Sequence, residues 1–175
     1  EDRGLLEIKK GNKGGIFVRN ITSEHASESL AILIRSQEVS LEHLAQFRQS
    51  VEGDIAALAA QKATSDEISR LLSIAESAAA YLRNDHTEYR NFYALDQSFH
   101  IELASITGNP VYLMIVRSVH ANIMKYYEDH LEMGPEDMRE NVEFFFELVD
   151  MFRLRQIKEA RILAESHVMH FGRKM

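Results

Sequence analysis

The chain has 175 residues, of which 45% are hydrophobic and 27% are charged, with two prolines and no cysteine. This length fits one domain with one hydrophobic core, and the composition is that of a globular chain and not of a disordered one. Without cysteine there are no disulfides or thiolate zinc sites, so a metal would need histidine, carboxylate or amide ligands. Because no apolar run has the length of a membrane span or the form of a signal peptide, we expect a cytoplasmic protein with no membrane partner.

The charge is distributed unevenly along the chain. The formal net charge is −7, which argues against nucleic-acid binding by the body of the protein, because that binding depends on clustered lysine and arginine. Residues 1–19 contain five basic and three acidic side chains, so this short segment carries +2 and the remainder carries −9. The basic character is therefore confined to the start of the chain.

The first predicted element is a β-hairpin at residues 4–19. Two short extended runs flank a glycine-rich basic turn at residues 11–15, the pattern of two strands with a tight connection. The turn matches neither a phosphate-binding loop nor a dinucleotide-binding fingerprint. After residue 22 the pattern changes, since glycine becomes sparse and apolar residues recur at helical spacing.

Helix start and stop signals divide the rest of the chain into helical segments. Ser40, the capping box from Thr64 to Glu67, the similar box at residues 85–88, and the turns at residues 108–110 and 134–135 set the boundaries. The predicted helices run over roughly 23–37, 40–63, 64–82, 85–107, 109–133, 136–154 and 156–171. The fold class that follows is all-α, an antiparallel bundle of six to seven helices preceded by the hairpin.

Asp96 and His100 are the first candidate pair for chemistry. They stand four residues apart on the fourth predicted helix, so both side chains leave the same face about one turn apart. The spacing alone is compatible with two interpretations: a shared metal ion, or the more common hydrogen-bonded pair within the bundle.

Two histidines near the end of the chain differ in their expected positions. His167 shares a helical stripe with Ile157, Ala160 and Ala164, which predicts that it faces inward and needs a polar partner. The common alternative to a ligand is a core histidine satisfied by one carbonyl or carboxylate. His170 falls one turn beyond the inward side, and we expect it on the surface.

Arg48 lies in the middle of the second predicted helix, four residues before Glu52. An intrahelical salt bridge is the default interpretation of this spacing. The alternative is that Arg48 points into a cavity and binds a ligand carboxylate through its planar guanidinium, which suits such an anion better than lysine does.

Three stretches, taken in this order, resemble the FCD branch (FadR C-terminal) of the GntR family of transcription regulators. The first, GLLEIKKGNKGGIFV at residues 4–18, is similar to the wing hairpin of the family's winged-helix DNA-binding domain. The second, residues 44–71, is similar to the opening Arg-x-x-x-Glu helix of the effector domain. The third combines LDQSFHIELASITGNP at residues 95–110 with LVDMFRLRQIKEARILAESHVMHF at residues 148–171.

The resemblance implies a helical bundle, usually dimeric, that binds a small organic acid and often a divalent metal held by one Asp and three His. The family's metal ligands fall here on Asp96, His100 and His167, but Phe145 occupies the remaining histidine position. Phenylalanine does not ligate, and Asn141, one turn earlier on the same helical face, is the candidate to complete a zinc or nickel site. Without a metal, Arg48 and the two histidines would supply the positive charge for an acidic ligand.

These matches predict that two segments of the chain have different functions. Residues 1–21 would be the end of a winged-helix domain, with Lys9, Lys10 and Lys13 toward DNA, and residues 22–175 the effector-binding and dimerisation domain. Arg48, Asn141, His100 and His167 are the expected effector contacts. We expect the DNA-reading helices to precede this chain, which would make it one part of a longer regulator.

The function that follows is ligand-responsive transcription regulation, in which a sugar acid or another organic acid changes operator affinity and no reaction is catalysed. A helical-bundle metalloenzyme is the alternative from another class, but the paired Glu-x-x-His spacing of di-iron sites is absent from the sequence. A purely structural helical module is the third reading, and it predicts no ligand-induced stabilisation.

Overall fold

The structure is a computed structural model that describes residues 6–9, 11, 14–18, 23–83, 89–130 and 134–172. For residues 6–9, 16–18, 23, 89 and 126–130 the description is limited to the backbone. The bounds and contacts below refer to these residues.

The predicted β-hairpin is present at the start of the chain. Strands β1 (Leu6–Lys9) and β2 (Gly15–Val18) pair antiparallel, with Leu6 opposite Val18 and Lys9 opposite Gly15. Gly11 in the connection adopts φ +120°, a conformation that glycine tolerates and other residues rarely adopt. Of the three lysines expected to face DNA, Lys9 ends β1, while Lys10 and Lys13 lie outside the described residues.

The rest of the described chain is helical, as predicted. It forms seven helices: α1 (Ser23–Arg35), α2 (Leu41–Lys62), α3 (Ser65–Arg83), α4 (Tyr89–Ile106), α5 (Pro110–His130), α6 (Pro135–Arg153) and α7 (Ile157–Gly172). The all-α bundle expected from the apolar periodicity is confirmed. The capping box predicted at residues 85–88 lies outside the described residues.

The helix boundaries follow the capping signals closely. The Ser40 hydroxyl accepts from the amide of His43, and the Glu67 carboxylate accepts from the amide of Thr64 at 2.8 Å. The small differences from the approximate predicted bounds lie beside left-handed backbone. Helix α1 ends at Arg35, two residues before Gln37 at φ +62°, and α7 begins at Ile157, two residues after Arg155 at φ +54°.

Helix α7 packs antiparallel and very close against α2. A Cβ placed on Gly172 would lie 2.8 Å from the Cβ of Ala45, and one on Gly53 would meet the side chain of Glu165 at 2.6 Å. Both helices also carry small buried side chains: Ala56, Ala57, Ala59, Ala60, Ala160 and Ala164. The close approach brings the polar residues near the start of α2 level with the end of α7.

A continuous apolar core extends from α3, α4 and α6 to buried residues of α2, α5 and α7. Its largest fully buried side chains include Phe92, Phe99, Phe145, Leu148 and Phe152. Burial of such side chains is the main stabilising contribution to the fold. None of the described helices is long and apolar enough to cross a membrane.

Candidate functional site

Polar side chains from four helices meet inside the bundle, near the end of α7. We call this group the polar cluster, and its members are Arg48 and Glu52 on α2, Asp96 and His100 on α4, His120 on α5 and His167 on α7. Five of the six are buried, and His167 is partly exposed. Buried polar groups are costly unless they are paired, so the contacts within the cluster determine what it can do.

Arg48 and Glu52 form a buried ion pair at the centre of the cluster. The guanidinium Nε donates to Glu52 Oε1 at 2.6 Å, and both side chains are nearly inaccessible to solvent. Burial alone would lower the pKa of Arg48, but the Glu52 carboxylate raises it above its ordinary value. The predicted intrahelical salt bridge is therefore present, and it points inward instead of lying on the surface.

His100 stands between two carboxylates. Its Nδ1 lies 2.8 Å from Glu52 Oε2, within ion-pair distance although the two groups are not aligned as a hydrogen bond. Its Nε2 lies 3.7 Å from Asp96 Oδ1 and has no hydrogen-bond partner among the described residues. Each ring nitrogen of His100 thus faces a different acidic side chain.

Asp96, His100 and His167 converge, as the sequence predicted. One ligand atom from each lies within 4.8 Å of the other two. The His167 ring stacks on Phe144, with centroids 3.8 Å apart and planes 2° from parallel, and its centroid is 6.0 Å from that of His100. The Phe144 ring thus covers one face of the His167 imidazole.

His120 is the member of the cluster that the sequence analysis missed. Its ring centroid lies 4.6 Å from that of His100, and its Nε2 lies 3.4 Å from Glu52 Oε1. Tyr93 donates to the backbone carbonyl of His120 at 2.8 Å. A signal was available, because Val116, His120 and Ile123 share one helical stripe that predicts an inward histidine.

The three histidines of the cluster differ in their protonation. Burial would lower the pKa of His100, but the carboxylates of Glu52 and Asp96 raise it above the ordinary value of 6.5. Burial lowers the pKa of His120. Burial and the positive charges of His100 and Arg48 hold the pKa of His167 well below 6.5. Near neutral pH, His120 and His167 are therefore neutral imidazoles, the form that binds metal ions.

The residues present fit a divalent metal. Ligand atoms around one zinc ion lie about 2.0–2.2 Å from the metal, and hence roughly 3–3.5 Å from each other in a tetrahedral site. The 3.7 Å separation of His100 Nε2 and Asp96 Oδ1 is close to that spacing. The buried His100 Nε2, which lacks a partner among the described residues, is the type of atom that a bound ion would satisfy.

Three further residues that the sequence singled out are Asn141, Phe145 and His170. Asn141 is buried on α6, but its side-chain nitrogen has no hydrogen-bond partner among the described residues. Phe145 stacks on Phe99 in the apolar core, with centroids 4.1 Å apart. His170 is exposed, as expected, and its Nε2 lies 2.9 Å from Glu140.

The cluster encloses very little empty space. Beside Glu52, His100 and Phe144 the cavity volume is about 10 Å³, at the lower limit for one water molecule. Beside Asp96 and His167 there is essentially none. Two larger open grooves, about 320 and 550 Å³, flank α1 and contain no member of the polar cluster. In this conformation the cluster accommodates a small ion and not an organic acid.

Solved structures with this fold are known. A Streptococcus agalactiae GntR protein matches with a TM-score of 0.76 at 19% identity, over 99% of this chain and 77% of that one. Lar, described as controlling expression of the Listeria monocytogenes agr system, matches with a TM-score of 0.61 at 11% identity, over 99% of this chain and 73% of that one. At these identities the matches establish the fold.

Sequence comparison gives the family. The Uxu operon regulator of Haemophilus influenzae is 36% identical over 107 residues, which is 61% of this chain and 36% of the regulator. The matched part is thus about a third of that relative's length. The sequence profile described as "FCD domain" matches residues 43–170, which include every member of the polar cluster. The chain therefore belongs to the FCD domain family, as its resemblance to the FCD branch of the GntR regulators predicted.

Proposed function

We propose that this chain is the effector-sensing part of a ligand-responsive transcription regulator of the GntR family. The observation that carries the proposal is the buried convergence of Asp96, His100 and His167 with Arg48 in an FCD domain. So many ionisable groups in one bundle would be costly to retain for stability alone. The similarity to an operon regulator supports the same assignment, and we propose no enzymatic activity.

In this proposal Asp96, His100 and His167 hold one divalent metal, zinc or nickel. Two imidazoles and one carboxylate suit these ions and leave coordination positions for oxygen atoms of an acidic effector. The bound metal supplies positive charge that the cluster otherwise lacks, because Glu52 already neutralises Arg48. Asn141 remains a proposed effector contact: its side-chain nitrogen, which has no hydrogen-bond partner among the described residues, would donate to a ligand oxygen.

Effector entry requires the polar cluster to widen. A cavity of about 10 Å³ is far smaller than an organic acid, so the helices that carry the cluster must move apart to admit one. A ligand that binds only the wider state shifts the population toward it. We propose that this shift reaches the DNA-binding head in a homodimer and that Lys9, Lys10 and Lys13 contact operator DNA there.

A thermal-shift screen tests the proposal. Gluconate, lactate and succinate represent sugar acids, hydroxy acids and dicarboxylates, and each is tested with zinc, with nickel and with a chelator. A true ligand at a hundredfold excess over its Kd stabilises the fold by about 2.7 kcal/mol. His100→Ala and His167→Ala should abolish metal-dependent stabilisation, whereas His170→Ala, an exposed control, should retain it. Equal responses of all three variants would contradict the proposed site.

A further inference from the structure

We propose that His120 supplies the third imidazole of the metal centre, in place of the histidine that the sequence lacks at Phe145. This inference rests on the proposed function, since it concerns the same ion. It adds a ligand from α5, a helix on which neither the sequence analysis nor the family pattern placed one.

Phe145 provides no metal ligand in this chain. Its ring is fully buried and stacks on Phe99 with planes 18° apart, within the apolar core. A third imidazole must therefore come from another position in the bundle.

His120 has the properties that a substitute needs. It is 1% exposed, and its Nε2 is buried without a hydrogen-bond partner among the described residues. A buried imidazole nitrogen of this kind is costly unless something binds it. One nitrogen of His120 lies within 4.8 Å of ligand atoms of both His100 and Glu52.

His120 also faces the side of the cluster where Asp96 and His167 lie. The same small space is lined by Asp96, His120 and His167, together with Arg48, Tyr93 and Phe171. In the described conformation His120 groups with His100 and Glu52, while Asp96 and His167 form a second group with His100. In this proposal the His120 ring turns toward Asp96 as the cluster widens around the ion. Of the two carboxylates, Asp96 is better placed as the acidic ligand, because Glu52 is neutralised by Arg48 at 2.6 Å.

Copper and zinc binding to the whole chain test the proposal. Electron paramagnetic resonance of Cu²⁺-loaded protein counts coordinated imidazole nitrogens, and competition with a chelator gives the zinc affinity. We expect three nitrogens in the wild type and two in His120→Gln, with zinc affinity lowered by more than about 100-fold, since loss of an outer-shell partner alone costs 10–100-fold. His170→Gln, at an exposed histidine of α7 outside the polar cluster, is the matched control and should retain three nitrogens and the wild-type affinity.

The outcomes separate this inference from the proposed function. If the Cu²⁺-loaded wild type shows two nitrogens and His120→Gln leaves both this number and the zinc affinity unchanged, the role of His120 is wrong while the metal site stands. If Asn141→Ala, and not His120→Gln, loses affinity, the ligand is Asn141. If the wild type binds neither ion, both the metal site and this inference are wrong. His120→Asn and circular dichroism in chelator check that losses do not reflect unfolding, because the Tyr93 bond to the backbone of residue 120 does not depend on the side chain.

Discussion

Two regions of the bundle meet along the buried side of α4. In the apolar region Phe92 and Phe99 lie in the core, where packing alone satisfies each side chain. In the polar region Asp96 and His100 lie among charges, at 5% and 3% exposure, so they are nearly as buried as the phenylalanines. Equal burial has opposite energetic consequences, because an apolar group gains by leaving water and a polar group loses unless it is compensated. The apolar region stabilises the fold, and the polar region is the part that we propose binds a ligand.

The largest loss of stability is expected from breaking the buried ion pair of the polar region. Arg48→Met leaves the Glu52 carboxylate buried without its cation, and we expect the free energy of unfolding to fall by about 3–5 kcal/mol. Urea denaturation at neutral pH in the presence of a chelator measures the change. The double variant Arg48→Met with Glu52→Leu should recover much of the loss, since no charge is then left unpaired. A double variant less stable than Arg48→Met would show that the two side chains stabilise the fold through contacts other than their mutual neutralisation.

The apolar region should lose stability without losing binding. Leu148→Ala opens a cavity in the core between α3 and α6, and we expect a loss of about 2–5 kcal/mol in the same denaturation experiment. Zinc affinity at a temperature where the variant is folded should stay at the wild-type value. A parallel loss of zinc affinity would mean that the two regions are coupled more tightly than their separate contacts indicate.

The pH dependence of stability near pH 6.5 should report on the three histidines of the polar region. The raised pKa of His100 contributes stability that is present below pH 6.5 and is lost as the pH rises through its folded value. The lowered pKa values of His120 and His167 contribute stability that is present above pH 6.5 and is lost as the pH falls through their folded values. As far as these three histidines determine it, the metal-free protein should therefore be most stable close to pH 6.5. Melting temperatures in chelator test this, and His167→Phe should flatten the acidic side.

The smallest loss of stability is expected from breaking an arginine–carboxylate ion pair that is exposed to solvent. Arg153 and Asp150 lie one turn apart with a 2.9 Å contact, but their side chains are 48% and 66% exposed. Arg153→Ala should change the free energy of unfolding by less than about 1 kcal/mol, and added salt should reduce the effect further. A loss comparable to that of Arg48→Met would contradict the claim that burial makes the difference.

Local features of the sequence determined most of the fold. The caps at Ser40 and Thr64, the glycine turns and the apolar periodicity predicted every described helix to within a few residues, because these signals act between neighbours along the chain. The pairing of Arg48 with Glu52 and of Asp96 with His100 follows in the same way, since four residues make about one turn. The inward position of His167 was a prediction of the same kind.

Only the tertiary structure decided which side chains meet across helices. The approach of His120 to His100, the stacking of His167 on Phe144 and the narrowness of the cavity depend on how α2, α4, α5 and α7 are rotated and spaced. Periodicity fixes the buried face of a helix but not the partner it meets, because crossing angle and axial distance arise from the packing of all side chains together. For that reason the sequence suggested Asn141 as the candidate for the missing ligand, whereas our proposal of His120 depends on contacts between helices that periodicity does not give.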